Sequence, residues 1–242
     1  MMTQRFREDF LEVLRMIGGG ESFALARFAD GEASVLKNVT VGNKDGWLYR
    51  KDRNLVFRSD LRKSLLCTDD NYLYGLSCTC CDVDNHGFLV DAVRTRKENL
   101  TFSNIWVNAN FALFHERFLP ALRKSGRPVV LCTNEKARLG DLEREIPLKD
   151  FLPIPGNCVK YWERRKEEIL GLLDLKASLN RDTIFLFAAG PLSEILIHAM
   201  WTVNPRNVYL DIGSTLDPVL FRRDSRGYHK PGHAFADRVC VW

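Results

Sequence analysis

The sequence has no run approaching about 18 uninterrupted apolar residues, the shortest that spans a bilayer as a helix. Its opening, Met1-Met2-Thr3-Gln4-Arg5-Phe6-Arg7-Glu8-Asp9, puts acids where a secretory signal has an apolar core. Neither a membrane span nor a standard export signal is expected. Blocks of like charge are also missing. Lys+Arg number 35 against 31 Asp+Glu, a net charge of +4, and the longest cationic clusters are Arg164-Arg165-Lys166 and Arg222-Arg223. That balance suits anionic ligands but lacks the concentrated basic footprint of a nucleic-acid binder. There is no internal repeat, no low-complexity segment and no Pro/Gly/Ser-rich linker. Two Cys-x₂-Cys spacings that could pair are absent, since Cys78-Thr79-Cys80-Cys81 stands alone. The seven cysteines, Cys67, Cys78, Cys80, Cys81, Cys132, Cys158 and Cys240, are odd in number and irregularly spaced. A chain this long needs no disulfide staples, so reduced thiols in a cytoplasmic protein are the expectation.

What is present is an ordinary globular composition, 45% hydrophobic and 27% charged, which excludes a disordered or collagen-like chain. At roughly 150 residues per domain the 242 residues admit one large domain or two small ones, and the missing linker favours one, residues 1–242. Apolar periodicity predicts helices over about 3–17, 54–66, 88–99, 109–124, 159–173 and 192–203. Strand patterns fall at 23–28, 72–76, 101–106, 128–132, 151–154, 183–187 and 207–212. Strands alternating with helices long enough for crossovers imply an α/β fold, a single Rossmann-like domain whose largely parallel sheet is flanked by helices. Residues 38–49 read as an irregular or hairpin insertion, and the polar tail 222–242 as a segment able to stay mobile until a ligand orders it.

Three strand exits carry polar groups. Arg27-Phe28-Ala29-Asp30-Gly31-Glu32 follows the first strand. In an extended segment Asp30 and Glu32 face one side and can share a cation; a solvated turn or helix cap is the plain alternative. Two oxygen donors suit Mg²⁺ or Mn²⁺, which complete their shells with water and phosphate. Arg27 can pair with an acid or reach a phosphate. Farther on, the apolar run 185–189 enters Gly190-Pro191-Leu192-Ser193-Glu194. There Gly190 permits close backbone approach and the helix start offers amides to a phosphate, although a simple tight turn has the same residues and no complete Gly-x-Gly-x-x-Gly is present. Last, Asp211-Ile212-Gly213-Ser214-Thr215-Leu216-Asp217 sets an acid, a glycine and hydroxyls at a late strand's end, where open α/β sheets bind ligands. Weaker candidates are Cys78, Cys80 and Cys81 with Cys67 and His86 as zinc ligands or as plain thiols, His115 as a packed histidine or a base, and Tyr228, His229 and His233 in the tail.

In order along the chain these segments resemble the GT-D-fold glycosyltransferases. Their Arg-aromatic-Gly-Asp-Gly-Glu segment with an Asp-x-Glu metal motif is similar to Arg27–Glu32, with Ala29 in place of the usual glycine. Their Arg-Leu-Gly followed by Asp-Leu is similar to Arg138-Leu139-Gly140-Asp141-Leu142 in shortened form. Their late Gly-Pro and Asp-Ile-Gly resemble Gly190-Pro191 and Asp211-Ile212-Gly213, with Ser214 where a histidine often follows. The resemblance implies transfer of a sugar from a nucleotide-diphosphate donor, a UDP-sugar by preference, to a hydroxyl of a glycan or glycoprotein, assisted by Mn²⁺ or Mg²⁺. It implies Asp30 and Glu32 at the metal, and Arg27, Arg138, Gly190, Gly213 and Ser214 around the nucleotide. Asp217 is then the candidate base for an inverting reaction, with Asp211 as the alternative. A nucleotide or sugar-phosphate binding module without turnover, and a glycosyltransferase acting on modified nucleic-acid bases, remain as other readings.

Overall fold

A computed structural model describes residues 1–242. In chain order the elements are α1 (Phe6–Gly18), β1 (Phe23–Phe28), α2 (Asp30–Leu36), β2 (Val41–Gly42), β3 (Leu48–Tyr49), α3 (Leu55–Ser64), β4 (Tyr72–Leu76), α4 (Val83–Ala92) and β5 (Leu100–Phe102). There follow α5 (Phe111–Leu113), which continues through a π-helical turn (Phe114–Phe118) into α6 (Leu119–Ser125), then β6 (Val129–Asn134), β7 (Leu148–Ile154), α7 (Cys158–Leu179), β8 (Ile184–Ala188), α8 (Ser193–Val203), β9 (Val208–Asp211) and α9 (Asp217–Phe221). Seven strands form one sheet in the order β5-β4-β1-β9-β8-β6-β7. Every pairing in it is parallel. β2 and β3 form a separate antiparallel hairpin, as the insertion at 38–49 suggested.

Side chains alternate across a strand, and the inner strands are buried on both faces and read as near-continuous apolar runs, whereas the edge strand β7, Leu148-Lys149-Asp150-Phe151-Leu152-Pro153-Ile154, keeps exposed positions. Ala24, Ala26 and Phe28 of β1 share one core with Phe185 and Phe187 of β8, beneath α3, α7 and α8. Phe23 and Leu25 share the other with Ile184 and Leu186, beneath Phe10, Val13 and Ile17 of α1 and Leu119 and Leu122 of α6. Phe10 is fully buried, and truncating such a ring to alanine costs about 3–5 kcal/mol.

Several boundaries depart from the sequence expectation: α4 ends at Ala92 where 99 was expected, α7 runs on to Leu179 past the expected 173, and three others have a clear local reason. α2 begins at Asp30, where an extended segment was expected: the Glu32 carboxylate accepts the Ala29 N–H at 3.0 Å and stabilises a first helical turn. α4 starts at Val83, five residues before the expected 88, because the Asp82 side chain caps it by accepting from the Asn85 N–H at 3.3 Å. β5 ends at Phe102, as Ile105 N–H closes a turn onto the Phe102 carbonyl at 3.1 Å and frees Trp106 to point its indole elsewhere.

The tail from Arg222 onward, read from sequence as a segment able to stay mobile until a ligand orders it, runs back over the body. Ala109 N–H donates to the Arg238 carbonyl and Thr79 N–H to the Val241 carbonyl, both at 3.1 Å. Trp242 then meets Phe102 and His86 edge-to-face, with ring centroids 5.6 and 5.0 Å away.

Candidate active site at the carboxyl edge of the sheet

The turns leaving β6, β7, β8 and β9 surround a cavity of 590 Å³, roofed on one side by the 44–47 loop of the hairpin. Five of the residues singled out in the sequence line it: Arg138, Gly190, Gly213, Ser214 and Asp217. They come from three separate turns, and the parallel topology brings them together at the strands' carboxyl ends. Arg138 is exposed and forms no ion pair or side-chain hydrogen bond, so its charge is available to a ligand. Lys136 also lines the cavity.

At the β8–α8 turn Gly190 adopts φ +59°, and a Cβ there would come within 3.1 Å of the Trp47 indole nitrogen. Trp47 also lies against Gly31, where a Cβ would be 3.3 Å from its ring. One indole from the hairpin thus touches both the Asp30–Glu32 turn and the Gly190 turn. The Ala189 N–H is already taken by the Ser193 hydroxyl at 3.0 Å.

Arg27 and Asp211 meet at the junction of β1 and β9, strands adjacent in the sheet although distant in sequence. Arg27 Nε donates to Asp211 Oδ2 at 2.9 Å, with the side chains only 10% and 8% exposed. Arg27 Nη1 donates to the Ser103 carbonyl at 2.5 Å. Asp211 Oδ1 accepts the Gly213 N–H at 2.8 Å, and the Asp211 carbonyl accepts the Trp106 indole N–H at 2.8 Å. Gly213 has φ +55°, and a Cβ on it would collide with Arg27 Nη2. Both Asp211 oxygens are therefore engaged, and neither Arg27 nor Asp211 lines the cavity.

Asp30 and Glu32 do not face one side. Asp30 is exposed at the first position of α2, while Glu32 turns back to the Ala29 N–H. Residues two apart on a helix diverge, which corrects the extended arrangement expected from the sequence. Burial pushes the Glu32 carboxyl up to about 7 despite the backbone N–H groups that oppose the shift. Nearby on α8, Glu194 is buried with neither carboxylate oxygen hydrogen-bonded. Burial, reinforced by Asp211 and Glu32, holds it well above the ordinary carboxylate range. An orphaned buried carboxylate beside a second one short of a cation is the oxygen-donor chemistry that a hard divalent ion accepts. None of Asp30, Glu32 and Glu194 lines the cavity itself, and no close-set group of three metal-ligating side chains includes Asp30 or Glu32.

The tail and hairpin hold each other across the cavity mouth. Arg226 pairs with Asp45 at 2.5 Å, and Lys44 donates to the Ser225 carbonyl. The Ser225 hydroxyl donates to Asp217, whose carboxyl burial nonetheless pushes up. Ser214 and Tyr228 share a hydroxyl–hydroxyl hydrogen bond at 2.6 Å, and burial raises the Tyr228 phenol to about 12. His229 Nε2 lies 3.1 Å from the Ser214 carbonyl, and burial lowers its imidazole to about 4.

Neither a protein-family model nor a curated protein sequence matches the chain. Solved structures do. A selenomethionine form of domain of unknown function 1792 superposes with a TM-score of 0.62 and 16% identity, covering 85% of this chain and 77% of that one. A second structure of that domain, described as having a distinct glycosyltransferase fold, gives 0.61 and 17% over the same shares. The chain has a glycosyltransferase fold. A glycosyltransferase of the same domain class from Streptococcus sanguinis gives a TM-score of 0.58 at 13% identity, covering 96% of this chain and 92% of that one. No helix is long and apolar enough to cross a membrane.

Several residues of this glycosyltransferase-fold site escaped the sequence. Glu194 stood in a quoted segment without a role of its own. Its burial has no sequence signature. Trp47 and Ser225 reach the site from an insertion and a tail, and only tertiary structure puts them there.

Proposed function

We propose that the protein is a metal-dependent glycosyltransferase that moves a sugar from a nucleotide-diphosphate donor, UDP-sugar by preference, to a hydroxyl on a glycan or glycoprotein. The observation that carries the reading is the convergence of Arg138, Gly190, Gly213, Ser214 and Asp217 on one cavity of a glycosyltransferase fold. Its 590 Å³ lies within the range of small-molecule and cofactor sites.

In this reading Arg138 and Lys136 attract the diphosphate, and the Gly190 turn, where the missing Cβ makes room for the Trp47 indole, forms the cavity wall before α8 against which it lies. Asp30, Glu32 and Glu194 are the candidate holders of Mn²⁺ or Mg²⁺, which when bound supplies neutralisation of the departing diphosphate. Arg27 and Asp211 act by position: their buried pair fixes the 211–214 turn. Asp217 accepts the acceptor hydroxyl's proton as the new bond to the anomeric carbon forms and the bond to the diphosphate oxygen breaks. A carboxyl raised by burial is a stronger proton acceptor than an exposed one.

The test is turnover of a nucleotide-sugar panel with Mn²⁺ or Mg²⁺, comparing the wild type with an Asp30→Ala/Glu32→Ala double variant. Metal-stimulated transfer or donor hydrolysis that falls at least about 100-fold in the variant supports the reading. Full activity in the variant removes the metal assignment. Tight nucleotide binding without turnover on any acceptor replaces the enzyme by a binding module.

A further inference from the structure

Away from this cavity, four cysteines converge. Cys78, Cys80 and Cys81 lie on the turn that follows β4, and Cys240 arrives from the far end of the tail. Their four sulfurs all lie within 4.8 Å of one another. Cys78 and Cys80 Sγ are 3.6 Å apart, and Cys80 and Cys81 Sγ 3.8 Å. With Zn–S bonds of about 2.3 Å, a tetrahedral ZnS₄ centre has sulfur–sulfur edges of about 3.8 Å. A disulfide needs sulfurs about 2.05 Å apart, and all four thiols are free. Cys67 and His86, the partners suggested by sequence proximity, are not in the cluster. The fourth ligand is 159 positions beyond Cys81, which is why no second cysteine pair at zinc-motif spacing stands beside Cys78–Cys81 in the sequence.

The surroundings are those of a thiolate centre. Every sulfur faces an N–H donor. Asn104 Nδ2 reaches Cys78 at 3.6 Å and Cys240 at 3.7 Å. Asn108 Nδ2 reaches Cys240 at 3.4 Å and Cys81 at 3.8 Å. The Val241 N–H reaches Cys80 at 3.4 Å, and Arg238 Nη1 reaches Cys81 at 3.9 Å. Asn108 does this from a left-handed backbone, φ +55°, a conformation that costs a non-glycine residue energy and so calls for compensation. Four thiolates and one Zn²⁺ leave a net charge of −2, which Arg238 and the amide donors offset.

We infer that Cys78, Cys80, Cys81 and Cys240 bind one structural Zn²⁺, with Asn104, Asn108 and Arg238 as outer hydrogen-bond donors. Four protein ligands close the shell, so the ion has no open position for substrate and acts as a clamp. It ties the chain end to the β4 exit, alongside the Thr79–Val241 hydrogen bond and the Trp242 contacts. Fifteen residues upstream, Ser225 touches Asp217. The clamp thus limits the freedom of the segment across the cavity mouth. This inference stands on its own observations and does not depend on the glycosyltransferase reading.

The experiment is metal analysis of the full chain, purified under reducing conditions without chelator, followed by titration of the metal-depleted protein with Zn²⁺ and with Co²⁺ as a spectroscopic probe. One zinc per chain is expected, together with the intense visible bands and sulfur-to-cobalt charge transfer of tetrahedral thiolate-bound Co²⁺. The exposed Cys80→Ser should retain the fold by circular dichroism and lose the cobalt spectrum. Asn108→Ala should weaken Zn²⁺ affinity by about 10–100-fold. Cys67→Ser and the Asp30→Ala/Glu32→Ala variant should both keep the full zinc complement. The inference is overturned if the reduced protein neither contains zinc nor takes up one equivalent of Zn²⁺ or Co²⁺, or if the metal present is iron with visible absorption. It fails equally if unreduced native protein has the mass of a disulfide-bridged chain, or if Cys80→Ser binds Co²⁺ with an unchanged spectrum.

Discussion

Substituting Gly213 by alanine isolates the contact on which the β1–β9 junction depends. The residue sits at φ +55°, and placing a Cβ in that region costs about 1 kcal/mol before any contact is considered. The new methyl would also occupy the position of Arg27 Nη2, so the guanidinium must leave its place beside Asp211. Both side chains are nearly buried, and breaking such a pair by disabling one partner costs about 3–5 kcal/mol when the group cannot find water. Because the long Arg27 side chain can swing partly aside, about 2–4 kcal/mol in total is expected. Urea denaturation of four proteins separates the two contributions: wild type, Gly213→Ala, Arg27→Met and the double variant. With Arg27 already replaced, the alanine should cost only the backbone share, about 1 kcal/mol, leaving a coupling of at least about 1 kcal/mol. Equal cost of Gly213→Ala in both backgrounds would refute the steric link between the glycine and the arginine.

Three further outcomes follow from the same geometry. Arg138→Ala removes a side chain with no ion pair or side-chain hydrogen bond, so stability should change by less than about 0.5 kcal/mol, while calorimetry should show nucleoside-diphosphate affinity falling by about tenfold or more. Gly190→Ala strains a left-handed residue against Trp47; a loss of about 1–2 kcal/mol in chemical denaturation is expected, together with reduced nucleotide affinity. His229 titrates near 6.5 when unfolded and is lowered to about 4 by burial in the fold, so the unfolded chain binds the extra proton between those values. Its contribution is therefore complete above 6.5 and lost as pH falls towards 4, by up to about 3 kcal/mol before allowance for solvent. Melting temperatures of His229→Asn against pH should lack that acid slope, and an identical slope in wild type and variant would remove the assignment.

The sheet was legible because burial on both faces writes itself into sequence as apolar runs, such as 184–188 and, interrupted only by Arg27, 23–28. Elements begun by polar residues were harder. α2 opens with Asp30-Gly31-Glu32, whose helical role rests on one side chain returning to the Ala29 N–H, and the same three residues are equally compatible with a strand exit. Motifs at strand ends pointed to Gly190, Gly213, Ser214 and Asp217, and the family resemblance to Arg138; these line one cavity because topology obliges parallel strands to present their carboxyl ends together. Sequence does not show which acids are buried, so the orphaned Glu194 carboxylate lay unnoticed beside a recognised Gly-Pro turn. Nor does it show what a tail touches. Polar composition made 222–242 look free, while Arg226, Tyr228, Cys240 and Trp242 each find a partner on a distant part of the chain.

The central claim is that one cavity takes a nucleotide diphosphate at the Gly190 turn with a divalent cation at the neighbouring carboxylates. Crystals grown with saturating Mn²⁺ and UDP, measured for the anomalous signal of manganese, test it directly. We expect an anomalous peak beside Asp30 or Glu32 and diphosphate density between the Gly190 turn and Arg138. UDP bound outside the cavity, or bound within it with no manganese at those carboxylates, would contradict the claim.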